Sequence, residues 1–246
     1  MTIEQMHQEA LLRLNKVGAY RNRDLVPGEL DVYLNNAIAS FVKDRIEPLS
    51  NRFRRGFESS PKRLADLNTL VSYKTKDALY RGDVQSIEVD YIERPDDYLY
   101  LLSIGSVILK QGDITTEMID GKIKRRVVSV KKTHIAQAKY IPHDDINIIL
   151  EDPFNKPSKE GVVYNEFGDG FSIYTPQNCV VDTALITYLK QPATVFYDVD
   201  TSSNSVDCDL PEQTHDEIIA LAVKSIISDV GKLGGQQQLI NLNETE

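Results

Sequence analysis

The residues of this chain that could do chemistry are few and scattered. Four histidines, His7, His134, His143 and His215, stand alone. No His-Glu-x-x-His sets two imidazoles on one helix face for zinc, so each reads as a surface or capping residue. Cys179 and Cys208 form no Cys-x-x-Cys pair of the kind structural zinc requires. Gly231-Lys232 lacks the upstream glycine and the following hydroxyl of a phosphate-cradling loop. Asp198-x-Asp200-x-Ser202, with Asp209 at the twelfth position, has the outline of a calcium loop. However, Ser203 stands where the sharp turn needs glycine, and Asp209 where a bidentate glutamate is usual. A polar loop ahead of the last helix accounts for the same residues. Asp96-Asp97 and Asp144-Asp145 fall at turn or cap positions. With no nucleophile–base pair and no metal set, the reading is a non-enzyme without catalytic, cofactor-binding or metal residues.

Charge is the next signal. The chain carries 28 Lys+Arg against 37 Asp+Glu, net −9, over 246 residues. Residues 1–82 hold 14 basic against 10 acidic side chains, and residues 83–246 hold 14 against 27. The basic excess gathers at Arg52, Arg54 and Arg55, with Lys62 and Arg63 nearby. Such a segment fits an acidic protein surface or phosphates, or a solvated loop. The acidic remainder argues against a dedicated duplex-binding protein, which needs a coherent positive footprint. No apolar run reaches the roughly 20 residues of a membrane span. The first residues lack the basic and apolar regions of a secretory signal, and two cysteines make no disulfide framework. Synthesis in a cytoplasm is the expectation.

Three regions must position these groups. Thr2 and Gln5 form a capping-box start, and Ile3, Met6, Ala10, Leu14 and Val17 trace one helical face ended by Gly18. A second helix from Glu29 to about Arg45 carries Leu30, Leu34, Ala37, Ile38, Phe41 and Val42 on one stripe. Ser60-Pro61 opens a short third helix through Leu64, Leu67, Leu70 and Val71. From Val84 the period changes: Ile87, Val89 and Tyr91 alternate as a half-buried strand does. Strands follow over Tyr98 to Leu109, Lys124 to Lys132, Val162 to Asn165, Phe171 to Tyr174 and Val180 to Leu189. Gln111 to Gly121 and Asn51 to Ser59 read as long polar loops that order on neighbours. Glu166-Phe167-Gly168-Asp169-Gly170 is a hairpin turn with two glycines able to take positive φ, and His143 to Leu150 is a short helix closed by Pro153. Pro211, with the acidic turn Glu212, Asp216 and Glu217, opens a last helix. It carries Ile218, Leu221, Ala222, Ile226 and Val230 and stops at Gly231 before a loose Gly/Gln tail.

The expected fold is therefore α+β. Residues 1–83 form a helical part, 84–200 a central, mostly antiparallel β region, and 201–246 a C-terminal helix and tail that completes the helical core. In that core Ile218, Leu221 and Ile226 pack against Leu34, Ile38 and Phe41.

One resemblance rests on these residues. Leu30-Asp31-Val32-Tyr33-Leu34-Asn35-Asn36-Ala37 leads into Phe41-Val42-Lys43-Asp44-Arg45, and a β region with Asp96-Asp97-Tyr98-Leu99 follows. Then Ile186-Thr187-Tyr188-Leu189-Lys190-Gln191-Pro192 precedes Leu210-Pro211-Glu212, with His215, Glu217 and Ile218 inside the last helix. This order resembles the head–tail connector, or ring, proteins of short-tailed, crAss-like bacteriophages, and is similar in plan to tail tubular adaptors. The resemblance implies a virion protein of the neck or tail that takes part in genome ejection. It implies a homo-oligomeric ring, twelve-fold, joining the capsid portal to neighbouring tail rings. Its channel passes genomic DNA without reading it, and it has no cofactor and no membrane. The alternative is another tail, stopper or scaffold component without ring closure.

Overall fold

A computed structural model describes residues 1–17, 25–46, 60–84, 87–119, 121–199 and 204–243, with 230–243 as backbone. They divide into two compact units, one of residues 1–70 and 192–246, the other of residues 71–191. The sheet unit thus runs from Val71 to Gln191.

The first unit is helical. It contains α1 (Ile3–Val17), α2 (Pro27–Ile46), α3 (Pro61–Leu67) and α5 (Glu212–Asn243). The capping box forms at α1: the Thr2 N–H donates to Gln5 Oε1 at 3.0 Å, and the Gln5 N–H to Thr2 Oγ1 at 3.3 Å. α5 packs on both α1 and α2. Leu34, Ile38 and Phe41 of α2 and Ile218, Ile219, Ala222 and Ile226 of α5 are buried. Leu221, expected on the inward stripe, is only half-buried, and Ile219 is fully buried instead.

Three local expectations change. Ser60 is the N-cap of α3, but its side chain makes no cap hydrogen bond. Leu64 is exposed, and Val71 already belongs to a strand, because the last turn tightens into a 3-10 helix at Asn68–Leu70. α5 does not stop at Gly231 but continues to Asn243. A glycine inside a helix costs only about 1 kcal/mol, and no proline follows to end it.

Polar side chains fasten this unit. Asn35 Nδ2 donates to the Val195 carbonyl at 3.0 Å, and the Val195 N–H donates back to Asn35 Oδ1 at 2.9 Å. One turn earlier Asp31 accepts the Tyr197 N–H at 3.2 Å and lies 2.8 Å from His7 Nε2. Arg45 spans three helices, reaching Asp66 at 2.9 Å and Glu217 at 2.7 Å. Arg13 meets Asp216 at 2.7 Å, and the Met1 ammonium meets Glu212 at 3.2 Å. The acidic turn of α5 therefore binds cations as well as facing the helix dipole.

The second unit is one eight-stranded sheet in the order β1-β8-β4-β5-β6-β7-β3-β2. The strands are β1 (Val71–Asp77), β2 (Leu79–Val84), β3 (Ile87–Glu93), β4 (Tyr98–Ile119), β5 (Lys122–Tyr140), β6 (Gly161–Phe167), β7 (Gly170–Thr175) and β8 (Cys179–Lys190). All neighbours pair antiparallel except β5 with β6. The β5-to-β6 crossover carries α4 (Ile146–Glu151), as a parallel pair requires. β1 and nearly all of β2 lie within residues 1–83, expected to belong to the helical part, and β4 runs through 111–119, where a polar loop was expected. The sheet curls so that Ile92 and Phe171 share one buried cluster with Ile104, Ile186 and Tyr188. In the β6–β7 turn only Gly168 takes positive φ (61°). Gly170 is needed for another reason, since a Cβ there would sit 2.3 Å from the Ile92 carbonyl oxygen.

Two glycines give opposite expectations. A Cβ on Gly112 would lie 2.0 Å from the Ser129 carbonyl, whereas one on Gly28 in α2 meets nothing within 4 Å. Gly112→Ala should destabilise by about 1–3 kcal/mol through overpacking, and Gly28→Ala should stabilise by about 0.5–1 kcal/mol, both read from urea midpoints. Ile226→Ala, at a fully buried site, should cost about 2–5 kcal/mol. Leu221→Ala should cost clearly less, and equal losses would refute the packing of α5 described above.

Candidate assembly surface

The candidate surface is the β4–β5 ribbon. Beyond Gln111, β4 leaves β8 and pairs with β5 alone, down to Ile119 opposite Lys122. Gln111 pairs with Lys132 and Gly112 with Val130, so Lys131 is an extra residue in β5. Asp113 pairs with Ser129 and Ile114 with Val127, making Val128 a second one. Such bulges bend a strand and increase its twist. The missing side chain at Gly112 lets β5 close in at the bend, and Gly121, with φ 75°, turns the tip.

The bend brings β5 to strands it does not pair with. Arg125 donates to Glu88 at 2.5 Å and to Asp90 at 2.6 Å, both on β3, with its guanidinium 4.2 Å from the Tyr80 ring centre on β2. The other Asp90 oxygen accepts the Val181 N–H of β8 at 2.9 Å. Lys124 reaches Asp77 at 2.7 Å, and Lys122 reaches Glu93. These side chains replace the backbone ladder that the curled sheet lacks at its seam. Asp90 is 1% exposed. Burial outweighs the pull of Arg125 and pushes its carboxyl up to about 6. Burial would lower the Arg125 guanidinium, but Asp90 and Glu88 hold it above its ordinary value.

Outside the seam the ribbon is exposed. Val128, Val130 and Ile135 of β5 and Met118 of β4 face solvent. β5 holds Lys122, Lys124, Arg125, Arg126, Lys131, Lys132 and Lys139 and no acidic residue. That composition, readable in the sequence, is the signal that treating Gln111–Gly121 as a loop hid.

The residues singled out from sequence fall as follows. Arg52, Arg54 and Arg55 lie outside the described residues; Lys62 is exposed and Arg63 half-buried on α3. The histidines are not all surface groups. His7 and His215 are buried, the first on Asp31, the second with Nε2 3.0 Å from the Leu210 carbonyl. Burial lowers the His215 pKa below the ordinary histidine value. His143 pairs with Asn165 at 3.0 Å, and His134 is half-buried. Burial pushes both thiols, Cys179 and Cys208, up and away from the reactive thiolate. In the calcium-like loop Asp209 accepts the Ala193 N–H at 3.2 Å, and Asp198 accepts a hydrogen bond from Asn204 Nδ2 at 3.2 Å. Among the described residues no three His, Cys, Asp or Glu side chains group as a metal site. Nor is any described helix long and apolar enough to cross a membrane.

The described residues thus show a curled sheet and a bent two-stranded ribbon with an exposed apolar and basic strand. The chain belongs to the phage tail ring protein 3/4 family of crAss-like phages, which it matches over residues 1–237. No curated protein matches it. The family makes it a structural component of the virion tail.

The Asp90 carboxyl gives a pH test. A carboxyl that holds its proton more tightly folded than unfolded contributes less stability as pH rises from about 4 to about 6, and nothing changes above that. Its carboxyl carbon shift should titrate with a midpoint near 6. A midpoint at or below the ordinary aspartate value of about 3.9 would show that Arg125 dominates instead.

Proposed function

We propose that copies of this chain close into a ring, twelve-fold, in the connector between capsid portal and tail, and that the ring surrounds the path of the genome. The family name supplies the ring; the observation on this chain that supports self-assembly is the ribbon, whose β5 presents unpaired backbone and exposed Val128, Val130 and Ile135. Ring closure needs head-to-tail contacts between different patches of one surface, and a strand with an open edge is such a patch.

The net charge of −9 suits a channel wall that repels phosphates and lets DNA slide. The portal above and other tail rings below are the neighbours in this reading. The Arg52, Arg54 and Arg55 cluster, with Lys62 and Arg63, serves it by docking on an acidic neighbour or on the genome. Each exposed pair adds only about 0–1 kcal/mol, so the effect is collective.

Electron microscopy of the purified protein, alone and with the portal, tests this reading. Closed rings with twelve-fold class averages are expected; open polymers would turn the assignment to a tube or stopper, and single subunits would overturn it. Replacing Arg52, Arg54 and Arg55 together by Ser should weaken docking on the portal most at low ionic strength, where screening is least. Equal docking across a salt series would leave the cluster a solvated segment.

A further inference from the structure

Between Arg126 and Ile135, β5 pairs with β4 on one side only; β6 takes the other side from Gln137 onward. No described strand pairs with the remaining edge, which β2 approaches only about Arg125. Along it stand Val128, Val130 and Ile135, the last 71% exposed, interleaved with Arg126, Lys131 and Lys132. Lys131 meets Asp113 at 3.1 Å in an exposed pair that solvent screens.

The opposite chemistry sits on the crossover that follows. Residues 141–155 contain Asp144, Asp145, Glu151 and Asp152 and no lysine or arginine. Leu150 and Ile141 root this segment on Val89, Val163 and Tyr174. Phe154 is 95% exposed, and Ile148 also faces solvent. The turn bearing Phe154 is fixed from within, since Asp152 accepts the Phe154 N–H at 2.9 Å and Asn155 Nδ2 at 2.5 Å. A rooted platform therefore holds an aromatic ring in water beside acidic groups.

We propose that the open β5 edge of one copy seats on the α4 platform of the next copy. Phe154 packs among Val128, Val130 and Ile135, and Asp144 and Asp145 face Arg126, Lys131 and Lys132. This contact rests on the ring reading and names its joint: two different patches of one chain, as head-to-tail closure requires. Aromatic anchors with opposite charge around them are the usual energetic centre of an interface. DNA is the lesser fit for β5, because a phosphate backbone makes no use of three apolar side chains set between the cations.

The test uses the full chain with Lys131→Glu/Lys132→Glu, Asp144→Lys/Asp145→Lys, the two sets combined, and Phe154→Ser. All five positions are exposed, and circular dichroism confirms that each variant is folded. Sedimentation over a concentration series, with electron microscopy of the products, should show self-association weakened about tenfold or more by each reversal and by Phe154→Ser. The combined reversal should restore it. Rings that ignore every substitution overturn this contact and leave the ring reading intact. Open, reversal-sensitive chains support the contact and overturn closure. A chain monomeric at every concentration overturns both. Duplex DNA bound by the parent and lost in Lys131→Glu/Lys132→Glu, with association unchanged, makes β5 a nucleic-acid surface and overturns the contact.

Discussion

The sheet unit depends on one buried ion pair. A curled sheet with two free ends must satisfy the backbone along its seam or leave it wet. Here Asp90 accepts a backbone N–H from β8 with one oxygen and the Arg125 guanidinium from β5 with the other. Buried pairs of this kind are poor sources of net stability, because desolvation offsets much of the attraction. Their value lies in register. A one-residue slip of β5 would turn Arg125 outward and leave Asp90 buried without a partner, so the alternative pairing is penalised heavily. The bulges at Val128 and Lys131 and the bare Cα of Gly112 deliver Arg125 to that point.

The helical unit uses the same logic with weaker groups. Asp31 and Asn35, one turn apart on α2, hold the backbone at Val195 and Tyr197 as a neighbouring strand would. Arg45 binds α3 and α5 to α2 while its guanidinium lies 4.3 Å from the Phe41 ring centre. The motifs that carried the family resemblance, Leu30 to Ala37 and Phe41 to Arg45, contain these groups. Their polar members are fasteners of the fold.

Much of the architecture was legible because it is local. The 3.6-residue stripes of α1 and α2, the Thr2–Gln5 box, the Pro211 start of α5 and the Gly168 turn all follow from neighbours in sequence. What was not legible depends on distant partners. β1 alternates only over the short run Val71, Tyr73 and Thr75, and its residues are strand because Val71 to Asp77 lie against Thr183 to Leu189. β4 continues past Gln111 through polar residues because β5 is there to pair with it. His7 and His215 looked like surface groups since nothing near them in sequence announces Asp31 or the Leu210 carbonyl. The ribbon edge was hidden for the same reason, although a strand with seven cations and no acid was plain in the composition.

Val71 pairs with Leu189, so the chain enters the sheet unit and leaves it on adjacent strands. Neighbouring strands lie about 5 Å apart. The sheet unit is thus a single insertion into the sequence of the helical unit, between Leu70 and Pro192, whose first and last strands are neighbours. A lineage can lengthen, trim or replace such an insert without rethreading the helices that flank it. One helical frame is in that way able to carry inserts of different length while its own packing stays unchanged.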